Sequence, residues 1–351
     1  VPFTRLSRKG QIIGPSTAGF AYGQLWTPPL KPVGGYLRGL NFYLQSVTGG
    51  TLTSASAQAD APYNAVQNLY LRDPFGQPII QADGFSLHLI GMFSGQVGAV
   101  GFGNIDSTLP SFSAVSLTTG AFNLRLYIPL EMDSSGYCSL PDMNASSQPQ
   151  IQVQINPSTT VFGTHTGTDP TLSMVLDEPF WMAPVDNPAA APPDVGSSAQ
   201  WSVSNASQPV GSAQFGRYQL PRVGTYIHTL ILVLRDSTGA RVDSWPVSDL
   251  SLWMDGVPVL METFNERVDS MFTQFGVPTR PTGVIVYSFR DSIQTFVSTG
   301  DTYDLLAPTT PATLLEVSGT FGTIGNAPAK IQAITGELFP QGGIPYTHLA
   351  S

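Results

Sequence analysis

The 351-residue chain has one cysteine, Cys138, which rules out an intrachain disulfide. A small disulfide-stapled secreted scaffold is excluded with it. Charge is scarce as well: Asp, Glu, Lys and Arg make up 11% of the residues, well under the usual quarter. A chain so poor in charge has little surface to spare for solvent, so much of its exterior is expected to be covered by partners. No hydrophobic run approaches the ~20 residues that span a bilayer. The first residues, VPFTRLSRKGQ, lack the apolar core of a signal peptide, so synthesis in a cytoplasm is expected. Histidine occurs four times, at His88, His165, His228 and His348, with no H-x-H or H-E-x-x-H among them. No P-loop or G-x-G-x-x-G opens a helix.

What is present is mostly β structure. Apolar residues make up 42% of the chain, in short runs broken by Gly, Pro, Asn, Ser and Thr. At 351 residues the chain suits two domains of ordinary size. The net charge of −9 is unevenly placed. Arg5, Arg8, Lys9, Lys31 and Arg38 precede the first acidic residue, Asp60, so residues 1–59 carry +5 and the remainder −14. A basic start on an acidic body points to two surfaces with different neighbours. The acidic body argues against direct nucleic-acid binding by the folded domains.

One segment occurs twice. Leu30–Gly49, LKPVGGYLRGLNFYLQSVTG, and Leu220–Gly239, LPRVGTYIHTLILVLRDSTG, agree at eight of 20 positions with an offset of 190. Average composition gives roughly one or two matches. Tyr36, Leu40, Phe42 and Leu44 share one face of a strand, and Tyr226, Leu230, Leu232 and Leu234 repeat it. The positions between them share no identity, as expected of a strand with one face on a core. Three weaker matches follow in order. Phe75-Gly76-Gln77-Pro78 pairs with Phe275-Gly276-Val277-Pro278, Leu124–Tyr127 with Val284–Tyr287, and Val161–Thr164 with Thr320–Thr323. Together they predict an internal duplication.

Apolar residues at Met261, Phe264, Val268, Met271 and Phe275 predict an amphipathic helix with Pro258 in its first turn. Tyr63, Val66 and Tyr70 keep the same spacing in the first copy, with Pro74 ending that helix early. From Pro78 to Leu124 is 46 residues and from Pro278 to Val284 is six, so a long insertion near 80–120 is expected to emerge as surface loops. The expected organisation is an N-terminal arm over 1–20, a first β domain over 21–181, a Pro/Ala-rich linker over 182–198, a second β domain over 199–340, and a tail over 341–351.

Several residues invite chemistry. His165 and Asp169 lie in GTHTGTD, where a polar turn explains them better than catalysis. Glu131 with Asp133, or Asp301 with Asp304, would serve general acid/base work only if a cleft joined them, and carboxylates in turns are ordinary. The same loops lack the alternating acidic pattern of a Ca²⁺ site. Cys138 has no local basic partner. No catalytic, cofactor or metal site is expected.

The repeated VG-x-Y…L…L strand, the segment LWMDGVPVLMETFNERVDSMFTQFG (Leu252–Gly276) and YIPLEMDSSG (Tyr127–Gly136) together resemble the double jelly-roll major capsid proteins of tailless, membrane-containing icosahedral phages, the tectivirus type. The resemblance spans most of the chain and is architectural. It implies an all-β fold of two tandem eight-stranded jelly rolls with short flanking helices. It implies a homotrimer with six similar lobes that tiles an icosahedral virion shell around an internal membrane. The implied partners are neighbouring capsomers, vertex (penton) and minor capsid proteins, and membrane lipid near the N-terminal arm, with synthesis in a host cytoplasm. Arg5, Arg8 and Lys9 would face inward and meet anionic lipid, at ~1 kcal/mol each. The alternative reading is a carbohydrate- or receptor-binding β-sandwich of a phage or cell surface, using Trp26, Trp181, Trp201, Trp245 or Trp253 as platforms. A two-jelly-roll glycan hydrolase is a third class.

Overall fold

The computed structural model describes residues 3–74, 76–94, 115–132, 136, 138–142, 148–184, 192, 198–221, 224–275, 280–289, 307–309 and 312–339. The chain divides into two compact units, residues 1–201 with 339–351 and residues 202–338.

The first unit holds strands β1 (Lys9–Phe20), β2 (Leu25–Trp26), β3 (Gly35–Leu37), β4 (Gly39–Thr48), β5 (Thr51–Thr53), β6 (Val66–Arg72), β7 (Pro78–Ala82), β8 (Phe122–Pro129), β9 (Leu140–Asp142), β10 (Gln150–Ile155), β11 (Thr166–Thr168) and β12 (Thr171–Met182). One sheet runs β8-β4-β12-β1, with β3 and β9 prolonging the lines of β4 and β8. The other runs β7-β6-β10-β2. Strands β5 and β11 form a separate pair. Helix α1 (Phe3–Leu6) precedes β1, α2 (Gly84–Phe93) lies between β7 and β8, and α3 (Ser158–Phe162) between β10 and β11.

Strand β13 (Ser198–Asn205) leads into the second unit, which continues with β14 (Phe215–Gln219), β15 (Tyr226–Arg235), β16 (Leu250–Met254), β17 (Val257–Glu262), β18 (Val284–Ser288), β19 (Ala307–Pro308), β20 (Leu315–Thr320) and β21 (Lys330–Phe339). Its sheets run β18-β15-β21-β13 and β17-β16-β20-β14, and helix α4 (Phe264–Phe275) lies between β17 and β18. Numbering the eight principal strands of each unit in chain order gives the same two sheets both times. Each unit is therefore a jelly roll, and the fold is all-β with short helices.

The repetition extends to the irregularities. Strand β4 is interrupted from β3 at Arg38, whose carbonyl accepts from Leu130 N, and β15 shifts register at His228, whose carbonyl accepts from Phe289 N. Arg38 and His228 are related by the same offset of 190 as the sequence repeat. Tyr36 lies opposite Pro141, and Tyr226 opposite Pro308. The repeated face packs in both units: Leu40, Phe42, Leu44, Leu230, Leu232 and Leu234 are all fully buried. Phe162 and Phe321 are buried too, each between the seventh and eighth principal strands of its unit.

Two expected matches are corrected. Phe75-Gly76-Gln77-Pro78 does not correspond to Phe275–Pro278. Its described part, Gly76-Gln77-Pro78, opens β7, and the equivalent turn is Gly256-Val257-Pro258 at the start of β17. Both glycines have positive φ, +87° and +80°, the conformation that favours glycine. Both turns are followed by the same bulge. Leu71 and Arg72 face Ile80 and Pro78, leaving Ile79 extra, and Leu252 and Trp253 face Leu260 and Pro258, leaving Val259 extra. The match of Tyr127 to Tyr287 is off by one. Leu40 lies opposite Ile128 and Leu230 opposite Tyr287, and a one-residue slip reverses every side chain.

The helices also differ from expectation. Tyr63–Ala65 is a single 3-10 turn and Val66–Arg72 is strand β6. The counterpart of α4 is α2, inside the supposed insertion. All ten residues of α2 are buried, and Asp83 caps its start by accepting from Ser86 N at 2.9 Å. Residues 83–121 therefore stand against 263–283, an excess of 18 rather than about 40. Helix α4 starts later than its periodicity indicates, because Thr263 and Glu266 form a reciprocal capping box at 2.7 and 3.3 Å. Met261 and Pro258 belong to β17. The arm expected over 1–20 is, from Lys9, the first strand of the first sheet. Among the described residues no helix is long and apolar enough to cross a membrane.

Candidate assembly surface

The basic start of the chain is anchored through Trp181. Phe3 of α1 packs edge-on against Tyr36 and Trp181, with centroids at 5.6 and 5.9 Å, and all three rings are buried. Lys9 Nζ lies 4.9 Å from the centre of the Trp181 ring and the Arg38 guanidinium 5.0 Å from it. The Trp181 indole donates to Glu131 Oε2 at 2.9 Å, and Arg38 meets Glu131 Oε1 at 2.5 Å. Of the three proposed inner-surface residues, Lys9 is thus placed on Trp181. Arg8 is exposed, and its carbonyl accepts from Met182 N. The side chain of Arg5 lies outside the described residues. Glu131, a catalytic candidate by sequence, is structural here. Its expected partner Asp133 lies outside the described residues, as do Asp301 and Asp304.

A second set of carboxylates sits where β12 and β9 meet the turn before β3. Glu178 and Asp142 are fully buried. Lys31 N donates to Glu178 at 3.4 Å and Val33 N to Asp142 at 3.3 Å. Burial pushes Glu178 up to about 7 and Asp142 up to about 6, against the opposing pull of these amide donors. In the unfolded chain both groups ionise near ~4. Between those values the folded chain keeps protons that the unfolded chain has released, so stability falls as pH rises through the window and stays lowest above it. Glu178→Gln is expected to flatten this fall. Urea midpoints at about pH 5 and about pH 8 measure it, and an unchanged difference between the two would contradict the assignment.

The three described histidines, His88, His165 and His228, are held by structural contacts, and His348 lies outside the described residues. His165 Nδ1 donates to Gly163 O at 2.8 Å and Nε2 to Asp169 at 2.7 Å, which together favour the charged ring and raise its pKa. Ser158 donates to the other oxygen of Asp169 at 2.7 Å rather than to the imidazole, so no hydroxyl is activated. His88 is stacked on Tyr63 at 4.2 Å. His228 is fully buried, and a Cβ on Gly336, the partner of Thr229, would meet its ring at 2.3 Å. Cys138 is buried. Among the described residues no three His, Cys, Asp or Glu side chains gather to hold a metal.

The tryptophans bear on the sugar-binding alternative. Trp26, Trp181, Trp201 and Trp245 are buried. Trp253 is half-buried under the Arg217 guanidinium, 4.4 Å from its centre, and Arg217 is itself held by Glu316. No open aromatic platform remains among these five. The exposed apolar side chains cluster elsewhere. Val257, Val259 and Met261 on β17 are 63%, 44% and 70% exposed, and Phe215 and Ile13 are also open. The β17 cluster carries no sequence motif. Comparison with β7 reveals it at one position: Val259 stands where β7 has buried Ile79, while Met261 stands where β7 has exposed Gln81.

No protein-family profile and no curated protein sequence matches the chain. Solved structures do. The chain is similar to the major capsid protein of STIV, the Sulfolobus turreted icosahedral virus, with TM-score 0.66 and 13% identity over 98% of this chain and 99% of that one. It is similar to the major capsid protein of bacteriophage PM2, with TM-score 0.52 and 12% identity over 96% and 100%. It is also similar to the major capsid protein of mavirus, with TM-score 0.52 and 8% identity over 97% and 92%. The fold is the double jelly roll of these viral capsid proteins.

Proposed function

We propose that this chain is the major capsid protein of an icosahedral virus, three copies forming a pseudo-hexagonal capsomer that tiles the virion shell. The observation that carries the reading is one eight-strand topology, with its bulges, written twice in a single chain. Two similar lobes per subunit let a threefold object fill sixfold surroundings. Sparse charge and the exposed apolar residues of β17 fit a surface made for neighbours. Sedimentation of the purified chain tests this: a stable species of three times 37.4 kDa is expected, and a monomer at all concentrations would count against it.

The finer parts of the reading are an internal membrane, vertex and minor capsid proteins as partners, and lipid contact through Arg5, Arg8 and Lys9. Three basic side chains at ~1 kcal/mol each amount to about a hundredfold in affinity for an anionic surface. Replacing all three with glutamine leaves the Phe3 ring but removes the Lys9 cation from Trp181, so circular dichroism must first show an unchanged fold. Cosedimentation with phosphatidylserine vesicles should fall by about that factor, and unchanged binding would remove the lipid role.

A further inference from the structure

We propose that the outer edge of β17 pairs, in parallel, with β1 of a second copy of this chain, closing the capsomer ring head to tail. The inference rests on the capsid reading above and specifies its interface.

The two jelly rolls treat the same edge differently. Position by position, Ile79, Ile80 and Ala82 of β7 correspond to Val259, Leu260 and Glu262 of β17, because the bulge aligns them. Ile79 is 4% exposed and Ile80 is fully buried, whereas Val259 is 44% exposed. Within the first unit this edge is paired at one position: buried Trp201 lies in parallel register with Ile80 of β7. Among the described residues no strand pairs with the outer edge of β17. An open edge with apolar side chains is a template for another strand.

The duplication identifies that strand. Trp201 belongs to β13, the first strand of its jelly roll, and the counterpart of β13 in strand order is β1. Strand β1 carries Ile13, 71% exposed. Charge agrees with the direction. In a parallel pair the entry end of β1, preceded by exposed Arg8, comes to the entry end of β17, beside exposed Asp255. Ile13 then comes to the end that carries Met261. Residues 1–59 carry +5, and residues 202–338 hold eight basic and 12 acidic side chains. A contact between two different strands is heterologous, so it propagates beyond a dimer, and a threefold rotation closes it into a ring.

Paired cysteines test the contact. Ile13→Cys with Met261→Cys, treated with a short bis-maleimide in the full chain, is expected to give covalent dimers and trimers on denaturing gels. Either single variant is expected to give neither, and the wild type, whose only thiol is buried Cys138, is the control. Val259→Lys, a surface change that leaves the fold intact by circular dichroism, is expected to weaken self-association about tenfold or more. A trimer by mass that yields no cross-linked species, or that survives Val259→Lys unchanged, overturns this pairing and leaves the capsid reading standing. A wild-type chain that stays monomeric overturns both.

Discussion

Trp181→Ala is expected to destabilise the first jelly roll by about 3–5 kcal/mol, the usual cost of emptying a large aromatic site. The reasons converge on one side chain. Its ring is 3% exposed and carries the edges of Phe3 on one side and two cations on its faces. Its indole N–H satisfies a carboxylate that is 1% exposed. The neighbours cannot collapse into the gap, because Trp181 lies in β12 between β1 and β3, paired with Lys9 and Tyr36. Helix α1 loses its anchor at the same time. Denaturant midpoints should drop accordingly, and limited proteolysis should remove the first residues faster than in the wild type. Trp181→Phe keeps the ring but not the donor and is expected to recover more than half of the loss. A Trp181→Ala protein within about 1 kcal/mol of wild type would show that the cluster is not structural.

Phe42→Ala is expected to cost about 3–5 kcal/mol and Leu232→Ala about 2–5. These residues occupy the same place in the two copies. Phe42 lies between Leu126 on β8 and Leu176 on β12, and Leu232 between Ile285 on β18 and Ala333 on β21. All six are fully buried or nearly so. Phe42 also meets Trp26 of the facing sheet, with ring centroids 5.9 Å apart. Each truncation opens a void between strands fixed on both sides, so little relaxation is available. Urea unfolding at constant chain concentration measures both, since association would otherwise shift the midpoint. A small loss at either site, within about 1 kcal/mol, would contradict equivalent core roles for the two copies.

The strand carrying Phe42 and Leu232 was legible because one face is held while the other drifts. Alternation puts Leu40, Phe42 and Leu44 on that face and Leu230, Leu232 and Leu234 on its copy, whereas the irregularities at Arg38 and His228 turn Tyr36 and Tyr226, expected on the same face, to the other side of the sheet. Other matches misled for physical reasons. Phe-Gly-x-Pro occurs twice by identity, but a glycine and proline stop a helix as readily as they turn a hairpin. The true counterpart shares only Gly-x-Pro, too little to stand out. Helix α2 was hidden because all its faces are covered. GFSLHLIGMF has no polar side to give a 3.6-residue contrast. Strand β1 was hidden by Gly10, Gly14, Pro15 and Gly19, which read as an irregular arm. The Lys9–Trp181 stack and the buried pair Glu178 and Asp142 join residues distant in sequence, so no local pattern announces them. The open edge of β17 is visible only as a difference between two copies of one structure.

Electron-microscope class averages of the purified particle test the central claim most directly. Two equivalent jelly rolls per chain predict a trimer that shows six near-identical lobes around its axis, with a hexagonal outline. A particle with three lobes, or one in which each chain contributes two dissimilar halves, would contradict it.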